Sequence, residues 1–462
     1  MRTATNVPAG TAIGDATTFW GQSCPALTGE LDRDTHAFSK FWQGGADLRA
    51  KLPAKLQRND AQAAAAKFIF EAERKAREQF LSAHAENVYR KLTDNCRNFV
   101  RAERLVYDAA AIFPGLTPNR DLVARDDDKP LKEKDGLEID QGIFLSHILA
   151  NPSTGRHLCH AMLLPRAETA EHLARFLKEG SIDLGPAAVT RMGNASILEM
   201  RNPRFLNAMD DTTAGPIEIA TDLAILDPET QIAVLRGGVV DNPKYVGRRL
   251  FSAGINLTYL YQGKISYLFY FRQLLGFENK WLRGLARPDL PPDEAVGATT
   301  EKPWVAAVDG FAIGGGCQHL LVMDYILAAS DAYMTLPARK EGIIPGAANM
   351  RLPRFTGDRI ARQAIMYGRR LDCDSPEGRL ICDAIVKPDQ VDAALSRVVD
   401  GLTNAGIVNA VANRRAFRVA QEPIGMFLNY AAVFAREQAY CHFSPALIFN
   451  LERHWNAQNR RP

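Results

Sequence analysis

A chain of 462 residues is too long for one ordinary hydrophobic core, so two or more domains are expected. With 46% hydrophobic and 24% charged residues it has a globular make-up, and a net charge of only +3 gives no reason to expect nucleic acid as a partner. No run of about 18 apolar residues is present, which argues against a membrane-spanning helix, and the start leads into Gly, Pro and Thr instead of a signal core, so a cytoplasmic location is the expectation.

Residues 1–30, rich in Gly, Thr and Pro, read as a loosely tethered arm. Residues 59–113 hold no proline or glycine and open with Asn59-Asp60 as caps. Phe68, Ala72, Ala76, Phe80, His84, Val88 and Leu92 recur near helical spacing, which predicts one long helix or two joined end to end. Shorter helices fit 141–150 and 167–178, giving an all-helical N-terminal domain over 1–185. Within it His157-x-x-His160 has metal-ligand spacing, but no second pair completes a site, and a helix end or surface histidines are the plainer reading, so no metal is expected.

At Pro186 the period changes. Ala187–Met192 and Ala195–Met200 read as strands joined by the hairpin turn Gly193-Asn194. A loop and helix (202–224), a strand (Ile232–Gly237), a helix (258–276), a strand (305–308) and a helix to Met323 follow, an α/β alternation that places a core domain at 186–400. Residues 401–462 read as a helical tail, broken at Pro445. Its aromatic face, including Phe427, Tyr430, Phe434 and Tyr440, marks core, a subunit contact or a ligand wall. The seven cysteines lack paired spacing, which fits reduced thiols.

The chemistry concentrates in two turns. The buried strand at 305–308 runs into Gly314-Gly315-Gly316 and then a helix, and Phe251-Ser252-Ala253-Gly254-Ile255 likewise runs from a strand into a small-residue turn. N–H groups at such turns lack intrahelical partners and attract negative charge, although Gly-rich turns also serve purely structural ends. One N–H from each, aimed at one oxygen, makes an oxyanion hole. The triple glycine lacks both the Gly-Lys-Ser/Thr ending of a phosphate loop and the spacing of a dinucleotide fingerprint.

Four motifs in register, 202–209 (NPRFLNAM), 251–257 (FSAGINL), 308–317 (VDGFAIGGGC) and 342–347 (GIIPGA), resemble those of the crotonase, or enoyl-CoA hydratase/isomerase, superfamily. The resemblance implies a repeated ββα superhelix, assembly as a homo-oligomer (a trimer or dimer of trimers) and an acyl-CoA substrate. By motif position it puts the oxyanion donors on the N–H groups of Ile255 and Gly315, and the backbone of Ala208 against the CoA moiety. The two acid/base glutamates of hydratases fall on Gln318 and Ala338, neither of which takes a proton near neutral pH, so hydration is not expected.

The departures, with the helical N-terminal domain, resemble the branch of the family that converts 3,5-dihydroxyphenylacetyl-CoA and O2 to the glyoxylate and CoA. That likeness implies a cofactor-independent dioxygenase with no metal, flavin or haem. The phenolic hydroxyls of such a substrate need polar partners, for which Gln318, Arg272, Asn207 and Glu341 are the candidates, and a dry aliphatic oxygen pocket is expected at Ile343 and Ile344. Lys244, Arg248 and Arg249 are expected at the CoA phosphates. Each has a plainer alternative: a surface cation for Arg272, Lys244, Arg248 and Arg249, ordinary core for the isoleucines, a solvated charged turn for Glu341. Glu341 is also the candidate for a relocated base, and on that footing a thioester hydrolase or isomerase without oxygen chemistry is the rival enzyme; an acyl-CoA-binding scaffold is the non-enzymatic one.

Overall fold

The computed structural model describes residues 9–295 and 297–460. Its centre is a seven-stranded sheet in the order β1 (Ser181–Asp183), β2 (Ala187–Met192), β3 (Ala195–Met200), β4 (Ile232–Gly237), β5 (Trp304–Val308), β7 (Tyr325–Ala329) and β10 (Ala384–Val386). The β1–β2–β3 meander is antiparallel, and from β3 to β10 every pairing is parallel. β4 and β5 are buried on both faces, as parallel strands covered by helices must be. A second sheet, β6 (Phe311–Ile313), β8 (Tyr333–Thr335) and β9 (Leu371–Asp372), lies alongside. The strand–strand–helix unit expected from the motifs is therefore present twice: β5 and β6 lead into helix Gly315–Leu320, and β7 and β8 into helix Ala338–Glu341.

The predicted helix at 59–113 is two helices. Asp60–Leu92 opens on a capping box in which Asn59 and Gln62 each accept from the other's backbone N–H. Asp94, Asn95 and Cys96, all with positive φ, then turn the chain into Ala102–Ile112. The arm expected at 1–30 is corrected where it is described: Ala9–Gln22 is helical, and Trp20 stacks on Phe41 at 4.4 Å and donates to its carbonyl. Residues 1–8 lie outside the described residues. His157 shares hydrogen bonds with the Tyr89 hydroxyl and Cys96 O, His160 bonds Arg287 O, and Phe99 stacks on both rings, so these imidazoles join the helical layer to its neighbours.

The tail does not stand apart. Helix Ile424–His442 crosses helix Ile139–Ala150 at Gly142, where a Cβ would lie 2.6 Å from that of Ala439. Phe427 and Phe434 of its aromatic face are core, whereas Met426, Val433 and Tyr440 are exposed. Helix Pro445–Trp455 follows, capped by Ser444.

The single helix expected at 258–276 is corrected too. Leu257–Tyr261 ends before Gly263, whose φ of +73 carries the chain past Lys129 O where no side chain fits. Helix resumes at Phe269, and over Arg272–Phe277 it widens to a π turn in which Gly276 takes φ −87 and ψ −111.

Candidate active site

The two small-residue turns meet. Gly254 has φ +83, and a Cβ there would stand 2.5 Å from Ile313 O and 3.1 Å from Gly315 N, so only glycine lets the first turn lie against the second. The contact is held by backbone bonds from Ser252 N to Phe311 O (3.2 Å) and Ile313 N to Ser252 O (3.0 Å). On the other side Met209 N donates to Gly254 O (2.6 Å) and Asn256 N to Met209 O (2.8 Å). Gly314 N is taken by Thr335 O. Among the described residues the N–H groups of Ile255 and Gly315 make no hydrogen bond, and Gly315 opens its helix, where N–H groups have no intrahelical acceptor.

Beyond these donors lies a small cavity of about 30 Å³, walled by Phe269, Leu274, Ile343, Ile344 and Phe434 and, on its polar side, by Gln273, Gln318 and Glu341. Ala338 also faces it. Gln318 Oε1 accepts from Gln273 Nε2 at 2.9 Å, and the same nitrogen donates to Glu278 Oε1 at 2.8 Å. His319 Nδ1 lies 2.8 Å from that oxygen and Arg351 donates to the other at 3.4 Å; Glu278, His319 and Arg351 are fully buried. Sequence reasoning missed Gln273, Glu278 and Arg351.

Glu341 differs. It is 8% exposed, so it is no solvated turn, and its carboxyl makes no hydrogen bond among the described residues. Burial pushes that carboxyl up to about 7. It lines both the small cavity and a neighbouring channel of about 470 Å³.

Residues 192–425 match the enoyl-CoA hydratase/isomerase family. The chain belongs to this family. It is 43% identical over 416 residues to a (3,5-dihydroxyphenyl)acetyl-CoA 1,2-dioxygenase of Amycolatopsis orientalis, covering 90% of this chain and 94% of that one. A carnitinyl-CoA dehydratase of Salmonella typhi is 26% identical, over 54% of this chain and 91% of its own. Among solved structures a carnitinyl-CoA hydratase from Mycobacterium avium aligns with TM-score 0.48 at 22% identity, over 61% of this chain and 98% of that one.

In this family member several residues expected at the site lie elsewhere. Asn207 is fully engaged in joining strand ends: its Nδ2 donates to Gly238 O and Leu250 O, both at 2.8 Å, and its Oδ1 accepts from Asn202 N. Arg272 pairs with Asp211 at 3.1 Å and lines a separate polar cleft with Arg101, Lys134 and Glu138, because the π turn swings Gln273 into the cavity in its stead. Arg248 pairs with Asp331, Arg249 with Glu199, and Lys244 extends over the Tyr245 ring; none lines the channel. The channel's basic side chains are Arg204, Lys340, His454 and Arg460, with Trp455 beside them and Ala208 on its wall. Ile343 and Ile344 do line the small cavity.

Proposed function

We propose that this chain is a dioxygenase that converts 3,5-dihydroxyphenylacetyl-CoA and O2 to 3,5-dihydroxyphenylglyoxylate and CoA. One observation carries the reading: the similarity to the Amycolatopsis dioxygenase runs at 43% through 90% of the chain, helical N-terminal region included, whereas the dehydratase matches little more than half.

In this reading the CoA moiety occupies the channel, with Lys340, His454 and Arg460 at its phosphates and Ala208 on its wall, and the thioester oxygen sits between Ile255 N–H and Gly315 N–H. Glu341 takes a proton from the CH2 next to the ring; a carboxyl whose affinity for protons lies near neutrality suits that task. The donors hold the negative charge as it moves to the oxygen, in a site closed to water. The enolate gives one electron to O2, and the resulting radical pair combines to a peroxide on the former CH2. Its terminal oxygen attacks the thioester carbonyl and expels the thiolate. Loss of the remaining proton on that carbon, with O–O cleavage, leaves the keto acid. Two protons leave the carbon: one ends on the thiol of CoA, and one departs with the glyoxylate ionised. The substrate supplies all the electrons, so the reading needs no metal, flavin or haem.

The cavity suits O2, held against Ile343 and Ile344, but is too small for an aryl ring, so ring binding displaces its wall. A homo-oligomer, as a trimer or dimer of trimers, belongs to the same proposal; the exposed Val408, Phe417 and Val419 of helix Val408–Gln421 support a subunit contact.

The test is an oxygen electrode with chelator-treated protein and 3,5-dihydroxyphenylacetyl-CoA. One O2 consumed per CoA released, with label from isotopic O2 in the glyoxylate, is the expected result. CoA release without oxygen uptake would overturn it in favour of a thioester hydrolase.

A further inference from the structure

We infer that Gln273 and Gln318 form a paired amide reader for one ring hydroxyl of the substrate, taken as a neutral phenol, and that Gln273 determines specificity. The inference rests on the arylacetyl-CoA reading above and adds to it the polar partner that the sequence had sought in Arg272.

The amide orientations follow from bonding capacity. Glu278 is enclosed by Gln273, His319 and Arg351, and its Oε1 accepts from Gln273 at 2.8 Å. Gln273 must therefore turn its nitrogen toward Glu278. The second hydrogen of that nitrogen goes to Gln318 at 2.9 Å, which forces Gln318 to present its oxygen there. Two groups are left over: the Gln273 carbonyl oxygen, an acceptor, and the Gln318 NH2, a donor. Neither has a partner among the described residues, and both side chains line the cavity beyond Gly315.

A leftover acceptor beside a leftover donor, among Phe269, Leu274 and Phe434, matches a group that does both jobs from one atom. A hydroxyl does; a carbonyl or a halogen satisfies one side only. The absence of a cation in the pair selects the neutral phenol over the phenolate, since Arg272 is turned away and paired with Asp211. The local backbone makes this arrangement. Gly276, non-helical inside the π turn, lies between Gln273 and Glu278 and changes the helix phase between them, and the two side chains meet in one network. A ring without a hydroxyl leaves two polar groups desolvated and unpaired, which sites built for hydrogen bonding reject strongly.

The experiment compares kcat/KM, read as oxygen uptake, for phenylacetyl-CoA, 3-hydroxyphenylacetyl-CoA and 3,5-dihydroxyphenylacetyl-CoA, in the native protein and in Gln273→Met and Arg272→Met. The native protein is expected to prefer either hydroxylated thioester by about 10²-fold or more over phenylacetyl-CoA. Gln273→Met should cut that preference to below about tenfold, with the change mainly in KM, while Arg272→Met retains it. Equal use of all three thioesters by the native protein overturns the inference without any variant, as does a preference abolished by Arg272→Met and kept by Gln273→Met. Oxygen uptake with none of the three removes the dioxygenase reading itself, and this inference with it.

Discussion

The two walls of the cavity treat their carboxylates in opposite ways. On the helical wall Glu278 is bonded to Gln273, His319 and Arg351, and Arg351 continues to Glu422 through two bonds of 3.0 Å. On the turn wall Glu341 is also buried, at 8% exposure, and has no such partner. A carboxylate bonded on all sides orients its neighbours; one left alone in apolar surroundings exchanges its proton near neutral pH. On the proposed reading, geometry is set on one side of the substrate and proton transfer is available on the other.

The largest expected effect comes from removing the lone carboxyl. Glu341→Gln should lower kcat by about 10²- to 10⁴-fold, measured as oxygen uptake. In the native protein kcat/KM should rise with pH and level off above about 7, as Glu341 loses its proton, and the variant should lose that limb. An unchanged rate in Glu341→Gln would break the contrast between the walls. Next comes the contact of the two turns: Gly254→Ala forces a Cβ onto Ile313 O at positive φ and should cost about 1–3 kcal/mol of stability, with kcat falling more than KM rises as the donors lose alignment. Chemical denaturation and steady-state rates check both.

Glu341 also leaves a mark on stability. Its carboxyl holds a proton more tightly folded than unfolded, so the folded state binds more protons between about 4.5 and 7, and stability falls as pH rises through that window. The full term is about 3 kcal/mol. Thermal unfolding of Glu341→Gln should therefore gain on the native protein at pH 8 and not at pH 4. The smallest effects sharpen the CoA channel: Lys244→Ala should leave KM within about twofold, while Arg460→Ala and Lys340→Ala raise it several-fold, each exposed phosphate contact being modest in water.

Backbone chemistry was the legible part of the sequence. Gly254 and the triple glycine announce close approach, because the residue type itself encodes the conformation, and the paired strands β2 and β3 follow from alternation around Gly193-Asn194. The polar network was not legible, because Arg272 and Gln273 point about 100° apart on one helical turn and only the packing of that turn decides which faces inward. The channel cations His454 and Arg460 come from a helix whose docking no local pattern reveals. Strands β9 and β10, two and three residues long, are too short for a period to show. The helix Ala9–Gln22 was hidden by its Gly and Thr content and is held by Trp20 on Phe41, a contact between segments.

The crossing at Gly142 also orders events in time. During synthesis the groove on helix Ile139–Ala150 emerges early, long before helix Ile424–His442 exists to fill it. Because Phe434, carried by the later helix, walls the small cavity beside Ile255 and Gly315, a nascent chain displays both turns while that cavity still stands open to solvent. On the proposed reading, competence to use oxygen arrives only with the final helices, so an incomplete chain has no sealed place in which to make a reactive carbanion.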